Sequence, residues 1–189
     1  MGLLAQPDKL VDYLMLLIKW NKAYNLTAIR DPIEMVDKHL LDSLAILPYL
    51  HGERLLDVGT GAGLPGIPIA LTSPQYQVTL LDSNGKKTRF LQAVKRELNL
   101  SHIEIIHGRV EETVDEIGFD CILSRAFSDL NQMLQYTKHL IKPEGVWLAM
   151  KGRVPQQELE SIHYPYTVYH CEVPHLQQCR CVVKIQQSR

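Results

Sequence analysis

Apolar residues recur at helical spacing near the start of the chain, at Leu10, Leu14, Leu17 and Ile18, and predict a helix from about Pro7 to Tyr24. A second helix is expected after Asp31-Pro32, where aspartate caps and proline takes the first turn. Ile33, Val36, Leu40, Leu41 and Leu44 carry it to about Leu47, and Pro48 ends it. Beyond residue 48 the period changes. Short apolar runs at Arg54–Val58, Gln77–Leu81, Ile103–Ile106, Cys121–Ser124 and Val146–Met150 read as strands. Helical patterns follow at Pro65–Leu71, Lys86–Leu98, Leu130–Ile141 and Pro155–Ile162, with a short helix after the third strand. Such alternation predicts a mostly parallel sheet with helices on both faces. The end differs. Thr167–Glu172 and Cys181–Ile185 are two strands with no helix between them, a terminal hairpin that places one antiparallel strand in a seven-stranded sheet. The chain is thus expected to divide into an N-terminal helical extension, 1–48, packed on an α/β domain, 49–189.

One loop stands out in this order. Leu55-Leu56-Asp57-Val58 brings an acid to the end of a strand, and Gly59, Gly61 and Gly63 follow at every second position before Leu64-Pro65-Gly66 opens a helix. Glycine admits the tight turn and lets a ligand lie against bare backbone. The loop amides and the helix start are expected to face a carboxylate or phosphate. The next strand ends in Asp82, placed to take the two hydroxyls of a ribose. Loop and acid together describe a pocket for a nucleoside-bearing cofactor.

Two cofactors compete for that pocket. Gly61-x-Gly63-x-x-Gly66 fits a dinucleotide fingerprint. Asp57, however, suits a cofactor with a cationic ammonium group, a need that a dinucleotide lacks. Asp57-x-Gly59-x-Gly61-x-Gly63 resembles motif I of S-adenosyl-L-methionine (AdoMet) methyltransferases, and AdoMet is preferred over NAD. The element order matches the class I methyltransferase (Rossmann-like) fold. In open sheets of this kind ligands bind at the carboxyl ends of the strands. That rule adds Gly108–Glu111, with Val110 and Glu111 at the expected adenine position, and Ser124-Arg125-Ala126-Phe127.

Composition narrows the class further. At 189 residues and 46% hydrophobic, the chain supports one sizeable core. A net charge of −1 gives no global attraction for nucleic acid, so any such contact rests on a local basic patch. Four cysteines without a framework of pairs, and without histidines at finger spacing, predict reduced thiols in a cytoplasmic protein and no metal site. The longest apolar run, Leu14–Ile18, is far too short to cross a bilayer, and no membrane partner is expected.

The acceptor is read partly from what is missing. After the fourth strand there is no Asn/Asp-Pro-Pro-aromatic motif of exocyclic amine methylation, and Cys121 lies within a strand rather than at the site edge. An acceptor that is already nucleophilic suits such a site. Guanine N7 carries a lone pair and no proton, so orientation matters more than a general base. A metabolite acceptor satisfies the same argument, and a non-catalytic AdoMet-binding module also stays open at this point.

A longer set of motifs is more specific. Lys19-Trp20-Asn21-Lys22-Ala23-Tyr24-Asn25-Leu26-Thr27, His39-Leu40-Leu41-Asp42-Ser43, Asp57 through Pro68, Leu80-Leu81-Asp82-Ser83, Arg109-Val110-Glu111 and Ser124-Arg125-Ala126-Phe127 occur in this order. Together they resemble the bacterial 16S rRNA guanine-N7 methyltransferases, the RsmG or GidB family, from about Leu10 to Ile185. The resemblance implies methylation of the guanine called G527, in the 530 loop of 16S rRNA, with AdoMet as donor. The substrate would be 16S rRNA in the small ribosomal subunit or its assembly intermediate, and the enzyme a monomer. Carried over, the cofactor contacts fall on Gly59, Leu64, Val110, Glu111 and Arg125, with Asp82 at the ribose and Asp57, Gly61 and Gly63 completing the loop. The family's N-terminal extension reads short here, and the hairpin turn His175–Arg180 is looser than the charged turn expected.

Candidate RNA contacts are Lys86 and Lys87 at a helix start, Lys151 and Arg153 after the fifth strand, and Asn21 and Asn25 near the end of the first helix. Trp20 is expected to close the helical extension over the sheet. His39 and Asp42, one turn apart, are expected to form a structural pair.

Overall fold

The computed structural model describes residues 7–125, 127, 129–176 and 180–187. Its centre is a seven-stranded sheet in the order β3-β2-β1-β4-β5-β7-β6. The strands are β1 (Arg54–Val58), β2 (Gln77–Asp82), β3 (Ile103–His107), β4 (Phe119–Ser124), β5 (Ile141–Lys151), β6 (Tyr166–Cys171) and β7 (Arg180–Gln186). The first five run parallel, and β7 pairs antiparallel with both β5 and β6.

The near-continuous apolar runs of the inner strands are explained by burial on both faces. Successive side chains point to opposite sides. Leu55, Leu80, Leu123 and Leu148 therefore join one core, and Leu56, Leu81, Ile122 and Trp147 join the other. The first core is covered by α1 (Pro7–Tyr24), α2 (Pro32–Met35), α3 (Asp42–Leu44), α4 (Gly66–Thr72) and α5 (Gly85–Glu97). The second is covered by α6 (Leu130–Thr137) and α7 (Gln156–Glu160). Trp20 packs its ring 5.7 Å from that of Phe90, so α1 closes over α5 there, on the first core. Among the described residues no helix is long and apolar enough to cross a membrane.

Three element boundaries differ most from the expectation. The helix expected from Pro32 to Leu47 is interrupted by a π-helical turn, Val36–Leu41, and stops at Leu44; Pro48 sits inside a separate 3-10 turn, Leu47–Tyr49. The helix expected to reach Ile141 ends at Thr137, whose hydroxyl turns back on the carbonyl of Met133. β5 starts five residues early, because Ile141 pairs with Phe119 and the Phe119 amide donates to the Leu140 carbonyl. The register of β4 on β5 then shifts between Phe119 and Cys121, which absorbs Lys142-Pro143-Glu144-Gly145 within the strand.

Candidate active site

The glycine-rich loop is held from within. The amides of Gly59 and Thr60 both donate to the Leu81 carbonyl, those of Gly63 and Leu64 to the Thr60 carbonyl, that of Gly61 to Asp82 Oδ2, and that of Gly66 to Asp57 Oδ2. The expectation of loop amides waiting for a phosphate is therefore corrected: these six donors are already used. Pro65 is the cap rather than the first residue of α4, and the first helical amide faces the protein's own carboxylate. A pyrophosphate would find few donors here. The carboxylates of Asp57 and Asp82, on either side of the loop, suit a cation instead.

Asp57 is fully buried. Its Oδ2 accepts from Thr60 Oγ1 at 2.7 Å and from the Gly66 amide at 2.8 Å, while Oδ1 has no hydrogen-bond partner. Burial pushes its carboxyl up to about 6, against the opposing pull of those two hydrogen bonds and of Arg125. Asp57 directly precedes the groove-lining Val58 and Gly59, and a buried, half-satisfied carboxylate is the kind of group that an ammonium completes. Gly61 has φ +63°, and a Cβ placed there would meet nothing closer than 3.9 Å, so the space over the loop is open to a ligand. The residues present thus fit an amino-acid-bearing cationic cofactor. The Leu64 side chain is buried in the core beneath the loop.

Asp82 closes the next position. Its Oδ1 accepts from the Asn84 amide and its Oδ2 from Gly61, with Lys87 Nζ 3.5 Å away. A groove of about 250 Å³ runs past Gly59 and Asp82 to Val110 and Glu111, with Phe127 and Tyr136 on its far wall. Sequence reasoning named the first four and placed Phe127 on this edge, but missed Tyr136. Phe127 had a signal, being in the Ser-Arg-Ala-Phe motif, whereas Tyr136 reaches the groove only because α6 packs back onto the sheet.

Arg125 points elsewhere. It lines a cleft of about 850 Å³ with Phe127, Lys151, Arg153 and Glu158, and a second cleft of about 320 Å³ with Lys38, His39, Asp42 and Arg180. Phe127 therefore stands between the nucleoside groove and the larger basic cleft. Lys151 Nζ donates to the Phe127 carbonyl and to both oxygens of Glu158, so Glu158 fixes this lysine at the cleft floor.

The other candidate RNA contacts separate by exposure. Lys86 and Arg153 are exposed, and Lys87 leans toward Asp82. Asn25 is exposed and accepts from Arg30 Nη2. Asn21 is a correction. It is buried, and its amide is consumed by Thr27 and Ile29, where it ties down the chain after α1. The expected His39–Asp42 pair is also corrected. His39 Nε2 lies 2.9 Å from Thr27 Oγ1 and Nδ1 has no partner, while Asp42 turns to two arginines. Of the looser hairpin turn, Gln177, Gln178 and Cys179 lie outside the described residues.

Comparison with known proteins agrees with this geometry. A family profile described as GidB, rRNA small subunit methyltransferase G, matches residues 6–185. The chain is 56% identical over 181 residues to the Ribosomal RNA small subunit methyltransferase G of Legionella pneumophila, covering 96% of this chain and 87% of that protein. It is 53% identical over 185 residues to the protein of the same name from Hydrogenovibrio crunogenus, covering 96% and 86%. Among solved structures, a SAM dependent methyltransferase from Aquifex aeolicus superposes with a TM-score of 0.63 at 19% identity, covering 88% of this chain and 96% of that one, a likeness of fold. The fold is that of a class I AdoMet-dependent methyltransferase, and the chain belongs to the GidB family of small-subunit rRNA methyltransferases.

Proposed function

We propose that this chain transfers the methyl group of AdoMet to N7 of one guanine of 16S rRNA, G527 in the 530 loop, within the small ribosomal subunit or its assembly intermediate. The observation that carries this reading is the wall shared at Phe127 between a nucleoside groove and a basic cleft on one edge of the sheet. Family membership supports the rRNA substrate.

AdoMet would supply a methyl group on a sulfonium, already activated for displacement. Asp57 would neutralise its ammonium, Asp82 would accept from the ribose hydroxyls, and Val110 and Glu111 would hold the adenine. Gly59, Gly61 and Gly63 would leave the backbone open to approach, and their inward-turned amides would keep the loop from repelling a cation. The bound cofactor would supply its methyl group to the N7 lone pair of a guanine held by the basic cleft beside Phe127. No proton leaves N7, so the protein needs to align the reactants and has no call for a base. Arg125, Lys151 and Arg153 would hold phosphates around the base, and Lys86 lies exposed at the start of α5 to extend that contact. The protein would act as a monomer in the cytoplasm.

The test is nucleoside mass spectrometry of 16S rRNA from cells lacking the protein. One 7-methylguanosine in the 530 loop should disappear and return on complementation; an unchanged modification profile would refute the assignment.

A further inference from the structure

Asp42 occupies a place that the proposed reaction has not used. It is 5% exposed, and it begins α3 directly after the π-helical turn Val36–Leu41. Turns of this kind occur mainly as local insertions in helices, often at functional sites. The Asp42 amide donates to Asp37 and His39 carbonyls, so the π turn itself sets where this carboxylate sits. Its two oxygens go to different arginines. Oδ1 accepts from Arg180 Nε at 2.9 Å, and Oδ2 from Arg125 Nη1 at 3.4 Å. Arg125 Nη1 also donates to the Lys38 carbonyl, one turn before Asp42.

Three distant pieces of chain meet at this carboxylate: the N-terminal helices, the loop leaving β4, and the first residue of β7. All three side chains line the 320 Å³ cleft, which Lys151 joins to the larger one. Of the described side chains that line this cleft, Lys38, Arg125, Lys151 and Arg180 are cationic and Asp42 is the one carboxylate. A carboxylate shared by two arginines also overcomes their mutual repulsion and fixes both planes. Guanidinium forks match phosphate bidentately, and a fixed plane favours that match.

Building on the rRNA reading above, we propose that Asp42 is a positioning residue for the substrate. It holds Arg125 and Arg180 as one preset pair that grips a phosphate next to the target guanine. Arg180 thereby belongs to the RNA-binding surface, although it lies 55 residues beyond Arg125 in sequence. Asp42 itself touches neither RNA nor cofactor.

The experiment compares wild type, Asp42→Asn, Arg180→Ala and the double variant. Each is measured for AdoMet affinity, melting temperature, and methyl transfer to small subunits from cells lacking the protein, across a range of salt. Asp42→Asn should leave AdoMet affinity within twofold and raise KM for the particle about tenfold. It should also make log KM less steep in log salt by about one, the signature of one lost phosphate contact. In the Arg180→Ala background the same change should cost clearly less, because one of its two partners is gone. If Asp42→Asn does not fold, Arg180→Lys keeps the charge, loses the fork, and should reproduce the KM and salt effects. An unchanged KM and salt slope in a folded Asp42→Asn protein overturns the proposal, as does full additivity with Arg180→Ala. Absence of transfer by wild type would overturn the rRNA reading first, and this proposal with it.

Discussion

The phenol of Tyr13 donates a 2.7 Å hydrogen bond to the Ala62 carbonyl, and both residues are buried. This bond ties the first helix to the tip of the glycine-rich loop across 49 positions of sequence. Burial raises the Tyr13 pKa well above the ordinary value, so the hydroxyl keeps its proton and stays a donor. Tyr13→Phe would strand a buried carbonyl. We predict a stability loss of about 1–3 kcal/mol, read by urea unfolding, and several-fold weaker AdoMet binding, read by calorimetry. Unchanged values in both would mean that α1 does not support the loop.

Gly61 and Gly66 are close in sequence and predict opposite phenotypes. A Cβ on Gly66 would sit 2.3 Å from Leu80 Cδ2 and 2.9 Å from Asp57 Oδ2, inside the packed core. Gly66→Ala should therefore cost about 1–3 kcal/mol of stability, as overpacking does. A Cβ on Gly61 meets open space, although its positive φ adds a modest strain. Gly61→Ala should keep most of the stability and lose AdoMet affinity by tenfold or more. Melting temperature with and without AdoMet separates the two effects.

The buried groups Asp57 and His39 predict a pH dependence with opposing parts. Asp57 is raised from 3.8 to about 6, chiefly by burial. Its folded form binds the proton more tightly, so its contribution to stability falls as pH rises from about 4 to about 6. His39 is lowered from 6.5 to about 4, first by burial and then by Arg125. The stability that its neutral form confers is present above 6.5 and is lost as pH falls toward 4. The two trends offset each other in wild type. Asp57→Asn should unmask the histidine, giving stability that climbs more steeply between pH 4 and 6 than in wild type. Parallel curves from denaturant titrations at each pH would contradict that.

Arg125 predicts a split between cofactor and substrate. The guanidinium lines the two basic clefts and is held by Asp42 and the Lys38 carbonyl, outside the lining of the nucleoside groove. Arg125→Ala should reduce kcat/KM for small subunits by about 10- to 100-fold, the worth of a charge-assisted hydrogen bond of roughly 1.5–3 kcal/mol. AdoMet affinity should change by less than threefold. A larger loss of AdoMet binding than of transfer would return Arg125 to the cofactor.

The sheet was legible because its inner strands carry apolar side chains on both faces, whereas α1, α5 and α6 bury one face. What escaped the pattern was set by long-range pairing. Ile141 reads as the end of a helix until Phe119, far upstream, recruits it into β5. Lys142-Pro143-Glu144-Gly145 reads as a loop until a register shift gives it a place. The loop glycines and Asp82 were legible because backbone freedom and a strand-end acid leave local marks. The direction of the loop amides was not, since Leu81, Thr60 and Asp57 claim them only in three dimensions. Asp42 was matched to His39 by helical spacing, yet the π turn and an arginine 138 positions away decide its partners.

On the proposed function, the groove and the basic cleft together deliver one methyl group to N7 of one guanine. The most direct measurement supplies labelled-methyl AdoMet, purified protein and small subunits from cells lacking it, with naked 16S rRNA in parallel, and maps the label by digestion and mass spectrometry. The account predicts label confined to N7 of a single guanine in the 530 loop, with the particle accepted better than naked RNA. Label at another atom or another base, or none in either RNA despite AdoMet binding, would contradict it.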